Sequence, residues 1–198
     1  MRPDCPLCVD LDGTLIAHET HQVAFWALLT KQPCLVWGFG WRWLRRGKLA
    51  AKTFAAYHAF IKKEALLDRQ AVTKRILKPR PDLLKWLLSA KEKGRTLVLI
   101  TGAPCVLRPV LRKTYPLFDV IVTSGVRDNR VGAKKAKWLV AHYGAQGFDY
   151  IGNSWKDLFV WRLARRAHVV TKSPLVGCLA RLLLRNQSKT PAQEAKIA

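Results

Sequence analysis

Two carboxylates stand two residues apart in the run Val9-Asp10-Leu11-Asp12-Gly13-Thr14-Leu15. Residues 6–10 (Pro-Leu-Cys-Val-Asp) are short and apolar enough for a buried strand, which puts Asp10 at the strand's carboxyl end and Asp12 just beyond it. Carboxylates that close repel, and one is pushed toward its protonated form unless a cation lies between them. A hard divalent ion that takes oxygen ligands, Mg2+ above others, meets that need and also binds phosphate oxygens. Gly13 permits a sharp exit from the strand, and Thr14 carries a hydroxyl for a phosphate oxygen or for capping the next turn. The same run also reads as an Asp-Gly turn that merely closes a strand, so its neighbours have to decide.

Three further groups raise the chemical reading. Thr101-Gly102 follow the apolar run 96–100 and offer a hydroxyl and a flexible backbone N–H, both suited to a phosphate oxygen. Lys134 and Lys135 open a helical segment, where one ammonium can neutralise charge on a phosphoryl group in transfer; the residues alone leave open which of the two does so. Gly152-Asn153-Ser154 follow the run 148–151, with Asp157 one helical turn on, a second cluster of oxygen ligands. Each has a plainer reading as a helix cap or a solvated charge. Four of them, each at a strand's carboxyl end, are harder to set aside together.

The elements that must position these residues follow from apolar patterning. Short continuous apolar runs at 6–10, 96–100, 119–123, 148–151 and 167–170 alternate with helical patterns at 81–92, 104–113, 133–143 and 156–165. Such alternation predicts an α/β fold, a Rossmann-like parallel sheet covered by helices on both faces, with ligands at the carboxyl edge of the strands. Residues 18–77 carry no strand-like alternation and are expected to form a helical cap inserted after the first strand. The expected division is therefore a core of residues 1–17 and 78–172, a cap over 18–77, and a basic amphipathic helix at 173–185 running into a polar tail to residue 198.

These motifs together resemble the haloacid dehalogenase (HAD) superfamily of phosphatases. Its four motifs appear as Asp10-Leu11-Asp12-Gly13-Thr14, Thr101-Gly102, Lys135, and Gly152-Asn153-Ser154 with Asp157. Val9 to Ile16, Gly132-Ala133-Lys134-Lys135-Ala136-Lys137, and Gly147 to Ser154 through Asp157-Leu158 and Val160-Trp161 further resemble the HAD domain fused ahead of UbiA-type prenyltransferases, here expected to stand alone. The resemblance implies a two-step phosphoryl transfer. Asp10 is the nucleophile that forms an aspartyl phosphate, and Asp12 is the acid and then the base. Thr101, Gly102 and Lys135 hold the phosphoryl oxygens. Mg2+ is held by Asp10, Asp12 through its backbone carbonyl, Asn153 and Asp157. Asn153 departs from the pattern, which commonly has Asp there; a neutral oxygen ligand shifts metal binding toward Asp157.

Composition bears on partners. The 198 residues hold 35 Lys and Arg against 13 Asp and Glu, a formal net charge of +22 spread over both halves. That surface favours anionic partners: a phosphorylated small-molecule or lipid-linked substrate, or an anionic membrane. Nucleic acid is the weakest of these, because no recognition motif or localised basic stripe is present. Residues 34–44 (Cys-Leu-Val-Trp-Gly-Phe-Gly-Trp-Arg-Trp-Leu), with Lys31, Arg45 and Arg46 beside them, have the composition of a membrane interface or of a cap that packs on the core. No run of about 20 apolar residues occurs that would span a bilayer. The five cysteines are odd in number and scattered, and the Cys5-x-x-Cys8 pair lacks a second half to complete a zinc site. They read as reduced thiols, and the expected place is the cytoplasm, peripheral on the inner face of the membrane, with a UbiA-type prenyltransferase as an expected partner.

Overall fold

The computed structural model describes residues 5–20, 37–38, 40–47, 77–125, 129–171 and 173–185. The cap expected over 18–77 lies largely outside these residues, as does the tail expected beyond 185.

Five parallel strands form one sheet. In chain order they are β1 (Leu7–Val9), β2 (Leu97–Pro104), β3 (Val120–Ser124), β4 (Asp149–Gly152) and β5 (Arg166–Val169), and across the sheet they run β3-β2-β1-β4-β5. The chain builds outward from β1 through β2 to β3, then returns to the other side of β1 for β4. The direction of winding therefore reverses between β1 and β4, and a crevice opens there at the strands' carboxyl ends.

Helices cover both faces, as the alternation predicts. On one side α1 (Pro81–Glu92) and α2 (Arg108–Thr114) pack Leu83, Leu87 and Leu111 against Leu7, Val9, Leu97, Leu99 and Ile151. On the other, α3 (Ala133–Tyr143), the short α4 (Leu158–Trp161) and α5 (Pro174–Arg185) bring Leu139, Trp161 and Ala180 against Cys8, Val98, Ile100 and Tyr150. The residues of β1 and β2 thus alternate between two cores, the period-two pattern of a strand buried on both faces. Cys8 is fully buried within the second core, as a small packed thiol.

One strand differs from its expected length. β2 continues through Thr101 and Gly102 to Pro104, with a register shift between Ile100 and Pro104 against β3. Extended backbone before Pro104 suits the restriction a proline places on its predecessor. Pro104 therefore closes the strand instead of opening a helix, and α2 starts only after a tight turn at Cys105–Leu107.

The residues on either side of the segment 18–77 are tied to one another. Ile16 bridges Pro79 in antiparallel fashion, and the Arg80 N–H donates to the Leu15 carbonyl at 2.8 Å. At the opposite edge of the sheet the fully buried Asp149 accepts hydrogen bonds from Arg165 Nε and Nη2, both at 3.0 Å, and from Arg95 Nη2. This charge cluster fastens the amino end of β4 away from the crevice. Among the described residues no helix is long and apolar enough to cross a membrane.

Candidate active site

Asp10 leaves β1 with its N–H bonded to the Ile151 carbonyl of β4 at 3.0 Å, so it sits where the winding reverses. The chain then turns sharply: the Leu15 N–H reaches back to the Asp10 carbonyl at 3.2 Å, and Gly13 adopts φ +74°. A Cβ at Gly13 would also stand 2.1 Å from Asn153 Nδ2. Glycine is required there both for the left-handed backbone and for the close approach of the two loops.

The centre of the site is buried. Asp10, Lys135 and Asp157 are 8 %, 3 % and 2 % exposed, and Tyr150 and Thr101 are fully buried. Lys135 Nζ donates to Asp10 Oδ1 at 2.8 Å and to the Tyr150 hydroxyl at 2.9 Å. The Tyr150 hydroxyl donates in turn to Asp157 Oδ1 at 2.7 Å, and Lys135 Nζ lies 3.7 Å from that same oxygen. Asp10, Lys135, Tyr150 and Asp157 thus form one chain of charge-assisted hydrogen bonds. Of the two candidate lysines it is Lys135 that enters the site; Lys134 is exposed on the outer face of α3.

Asp157 performs a second task. Its Oδ2 accepts the N–H groups of Asn153 and Ser154 at 3.2 and 3.0 Å and the Ser154 hydroxyl at 3.0 Å. This capping box closes the turn after β4. Gly152 makes it possible, because a Cβ there would lie 2.8 Å from the Asp157 carboxylate. Both Asp157 oxygens accept hydrogen bonds within the protein, and the residue expected as a metal ligand also anchors the Asn153 loop.

The remaining expected residues are placed as follows. The Asp12 carboxylate accepts the Thr20 N–H at 2.8 Å and the Thr20 hydroxyl at 3.3 Å. Thr14 donates its hydroxyl to Asn153 Oδ1 at 3.2 Å. Thr101 Oγ1 accepts the Ala103 N–H at 3.0 Å, which leaves its own hydrogen to donate elsewhere. Gly102 is crossed closely by Val131, whose Cγ2 would lie 2.6 Å from an added Cβ. Three contributors escaped the sequence reading: Thr20, Tyr150 and Arg80. Arg80 Nη2 donates to the Gly13 carbonyl at 3.1 Å, holding the turn from the residues that precede α1.

Burial pushes the Asp10 carboxyl up to about 7, and the charges of Asp157 and Asp12 add to that, against the downward pull of Lys135. Burial by itself would lower Lys135, yet Asp10, Asp157 and Asp12 outweigh it and hold its ammonium above the usual lysine range. Lys135 thus stays cationic, and at 2.8 Å it keeps Asp10 ionised further than burial alone would allow. Tyr150 is held well above the usual phenol range by burial and by Asp157, so it remains a donor.

Among the described residues no group of three or more His, Cys, Asp or Glu is placed to hold a metal. The expected donors are nonetheless all oxygens: the Asp10 and Asp157 carboxylates, the Asp12 backbone carbonyl and the Asn153 carboxamide. An oxygen-only set fits a hard cation rather than a soft metal.

A buried carboxylate beside a fixed ammonium, at the switch point of a doubly wound parallel sheet, defines a hydrolase-type α/β site. The model of the haloacid dehalogenase-like hydrolase family, HAD, matches residues 7–162, and the chain belongs to that family. A HAD family hydrolase, t0658, from Salmonella enterica subsp. enterica serovar Typhi superposes with a TM-score of 0.62 at 20 % identity, over 89 % of this chain and 66 % of that one. A protein of unknown function from Bordetella pertussis Tohama I does so with a TM-score of 0.63 at 13 % identity, over 90 % and 95 %. A substrate-bound phosphoserine phosphatase complex gives 0.58 at 12 %, over 89 % and 90 %. At such identities these likenesses speak for the fold. By sequence the chain is 29 % identical over 166 residues to the uncharacterized protein y4nM of Sinorhizobium fredii (strain NBRC 101917 / NGR234), covering 83 % of this chain but only 30 % of that protein's length.

Proposed function

We propose that the chain is a Mg2+-dependent phosphatase of phosphomonoesters that works through an aspartyl phosphate on Asp10. The observation that carries this reading is the 2.8 Å pair of Asp10 and Lys135 at the switch point, with Asp12 two residues on. Bound Mg2+ would neutralise charge on the Asp10 carboxylate and on the phosphoryl oxygens; Asp10, the Asp12 carbonyl, Asn153 and Asp157 are the residues that would hold it.

In the first step an Asp10 oxygen attacks phosphorus, and the bond from phosphorus to the ester oxygen breaks. Asp12, in its protonated form, gives its proton to the departing oxygen. Thr20 holds the Asp12 carboxyl through two hydrogen bonds, which fixes the direction of that transfer. Lys135 and the Thr101 hydroxyl balance charge on the phosphoryl oxygens. In the second step the Asp12 carboxylate takes a proton from water, whose oxygen attacks the phosphorus of the aspartyl phosphate. Inorganic phosphate leaves, Asp10 returns as a carboxylate, and Asp12 is again protonated.

The substrate we favour is a polyprenyl-linked or sugar phosphate met at the membrane, with a UbiA-type prenyltransferase as the partner; the motif resemblance and the basic charge support this. A second reading is a catalytically weak HAD-like module that binds such a prenyltransferase or an anionic membrane. Asn153 favours it, since a carboxamide at that position offers the metal a neutral oxygen where the family pattern commonly has a carboxylate. Purified protein with Mg2+, tested on a panel of phosphomonoesters beside Asp10→Asn, separates the two. Phosphate release that falls by at least about 10³-fold in Asp10→Asn supports the phosphatase. Absence of release by the wild type across the panel supports the module.

A further inference from the structure

Between Glu19 and Glu64 the chain has no acidic residue, yet it carries eight Lys and Arg and four of the eight Trp. Part of this stretch is described, a helical turn at 37–38 and a helical run over 40–47 ended by Gly47 at φ +76°. Trp37, Trp41 and Leu44 stand at i, i+4 and i+7, which places them on one helical face. They are 85 %, 57 % and 84 % exposed. A helix whose apolar stripe packs on its own core covers that stripe; this one presents it to solvent. Arg42, Arg45 and Arg46 are exposed along the adjoining flank, and the Arg45 guanidinium lies over the Trp41 ring at 4.2 Å from its centroid.

We propose that this face is a docking surface for an anionic phospholipid bilayer. Indole rings settle at headgroup depth, where one side of the surroundings is apolar and the other wet, and an open Leu beside them enters the acyl boundary. Arg45 and Arg46 then lie level with lipid phosphates, and the sequence between Glu19 and Glu64 adds no acidic residue to oppose that attraction. The eight described helical residues span about 12 Å, and the proposal seats them along the headgroup layer. A second copy of this chain fits less well, because the contact would set two positively charged stretches against each other. Nucleic acid fits less well because Leu44, nearly as open as Trp37, offers no ring for a base to stack on.

The test of this surface does not require turnover at Asp10. The full chain is floated with vesicles of phosphatidylcholine alone and of phosphatidylcholine with about a third phosphatidylglycerol. We expect binding to the anionic vesicles that is at least about tenfold tighter than to the neutral ones and that weakens several-fold between about 50 and 300 mM salt. Trp41→Ser with Leu44→Ser should reduce it by about tenfold or more, and Arg45→Gln with Arg46→Gln should erase most of the preference for anionic lipid. Quenching of wild-type Trp fluorescence by brominated lipid reads the same contact without a variant. Equal binding to both vesicles, binding to neither, or loss of binding with Leu175→Ser and Leu182→Ser of α5 but not with the Trp41 pair would overturn the assignment. So would a Trp41-dependent dimer in light scattering with no vesicle binding, or Trp41-dependent capture of single-stranded DNA with none.

Discussion

Tyr150→Phe is the most informative single change the structure offers. The ring would remain packed in the second core, so the change removes one oxygen and little else. That oxygen takes a hydrogen bond from Lys135 at 2.9 Å and gives one to Asp157 at 2.7 Å. Hydrogen bonds to charged groups contribute about 1.5–3 kcal/mol each, and a buried charge left short of a partner costs a comparable amount. Two such bonds vanish, but Lys135 already stands 3.7 Å from Asp157 Oδ1 and can close that gap, recovering part of the loss. The net destabilisation should be about 2 kcal/mol, which for a chain of this size is a fall in Tm of about 4–8 °C.

The recovery has a chemical consequence. Closing on Asp157 draws the Lys135 ammonium away from Asp10, and a displacement near 1 Å at a reacting centre can cost about 10²-fold in rate. Urea unfolding of wild type and variant measures the first effect without any assumption about turnover. Steady-state kinetics on p-nitrophenyl phosphate with saturating Mg2+ measures the second, as a fall in kcat with KM little changed. A variant as stable as the wild type would refute the hydrogen-bonded chain itself. A variant destabilised by about 2 kcal/mol but with unchanged kcat would refute the claim that Tyr150 positions Lys135.

Other consequences are more direct. Gly13→Ala should destabilise the fold by about 2 kcal/mol or more, because φ +74° disfavours a side chain and the new Cβ meets Asn153; thermal unfolding reads it. Asn153→Asp adds a carboxylate beside Asp10, so the Mg2+ concentration for half-maximal activity, or for half-saturation in calorimetry, should fall roughly tenfold. Asp149 lies below the usual carboxylate range: burial pushes it up, but the hydrogen bonds from Arg165 and Arg95 more than reverse that. A depressed folded value means its contribution is fully present above about pH 4 and is lost as pH falls through the folded value. Asp149→Asn should therefore cost about 2–3 kcal/mol at pH 7, with Arg95 and Arg165 partly open to water, and the gap from wild type should narrow in acid when urea midpoints are compared.

Much of this architecture is legible in the chain because continuous apolar strands announce themselves. Leu97–Ile100, Val120–Thr123 and Tyr150–Ile151 fall within a residue or two of the expected runs. β2 runs on past Ile100 because pairing of Pro104 with Ser124 overrides a Thr-Gly-Ala-Pro sequence that reads locally as a turn. Lys135 was resolvable in principle: it shares a helix face with Leu139, whereas Lys134 does not. Tyr150 was hidden by the same apolar pattern that located its strand, which counts a tyrosine as one more core residue, although a buried hydroxyl needs a partner. Asp12 and Asp157 were found as carboxylates but not for what they touch. Their partners Thr20, Ser154 and Tyr150 are set by tertiary closeness and capping geometry, which spacing alone does not contain.

That difference bears on how the site is to be dissected. The residues that would attack, neutralise and bind metal are the same ones that satisfy each other's buried charges. Asp10→Asn keeps the shape of the nucleophile yet removes the charge facing Lys135, whose remaining carboxylate, Asp157, is 3.7 Å away and already shared with Tyr150. An ammonium deprived of its nearest counter-charge in a buried site shifts toward the neutral form or toward Asp157. Loss of turnover in Asp10→Asn therefore speaks for nucleophilic catalysis only when the variant unfolds at a urea midpoint near that of the wild type. The exposed Lys134, one position along α3 and outside the chain of hydrogen bonds, is the control that should leave both stability and rate unchanged.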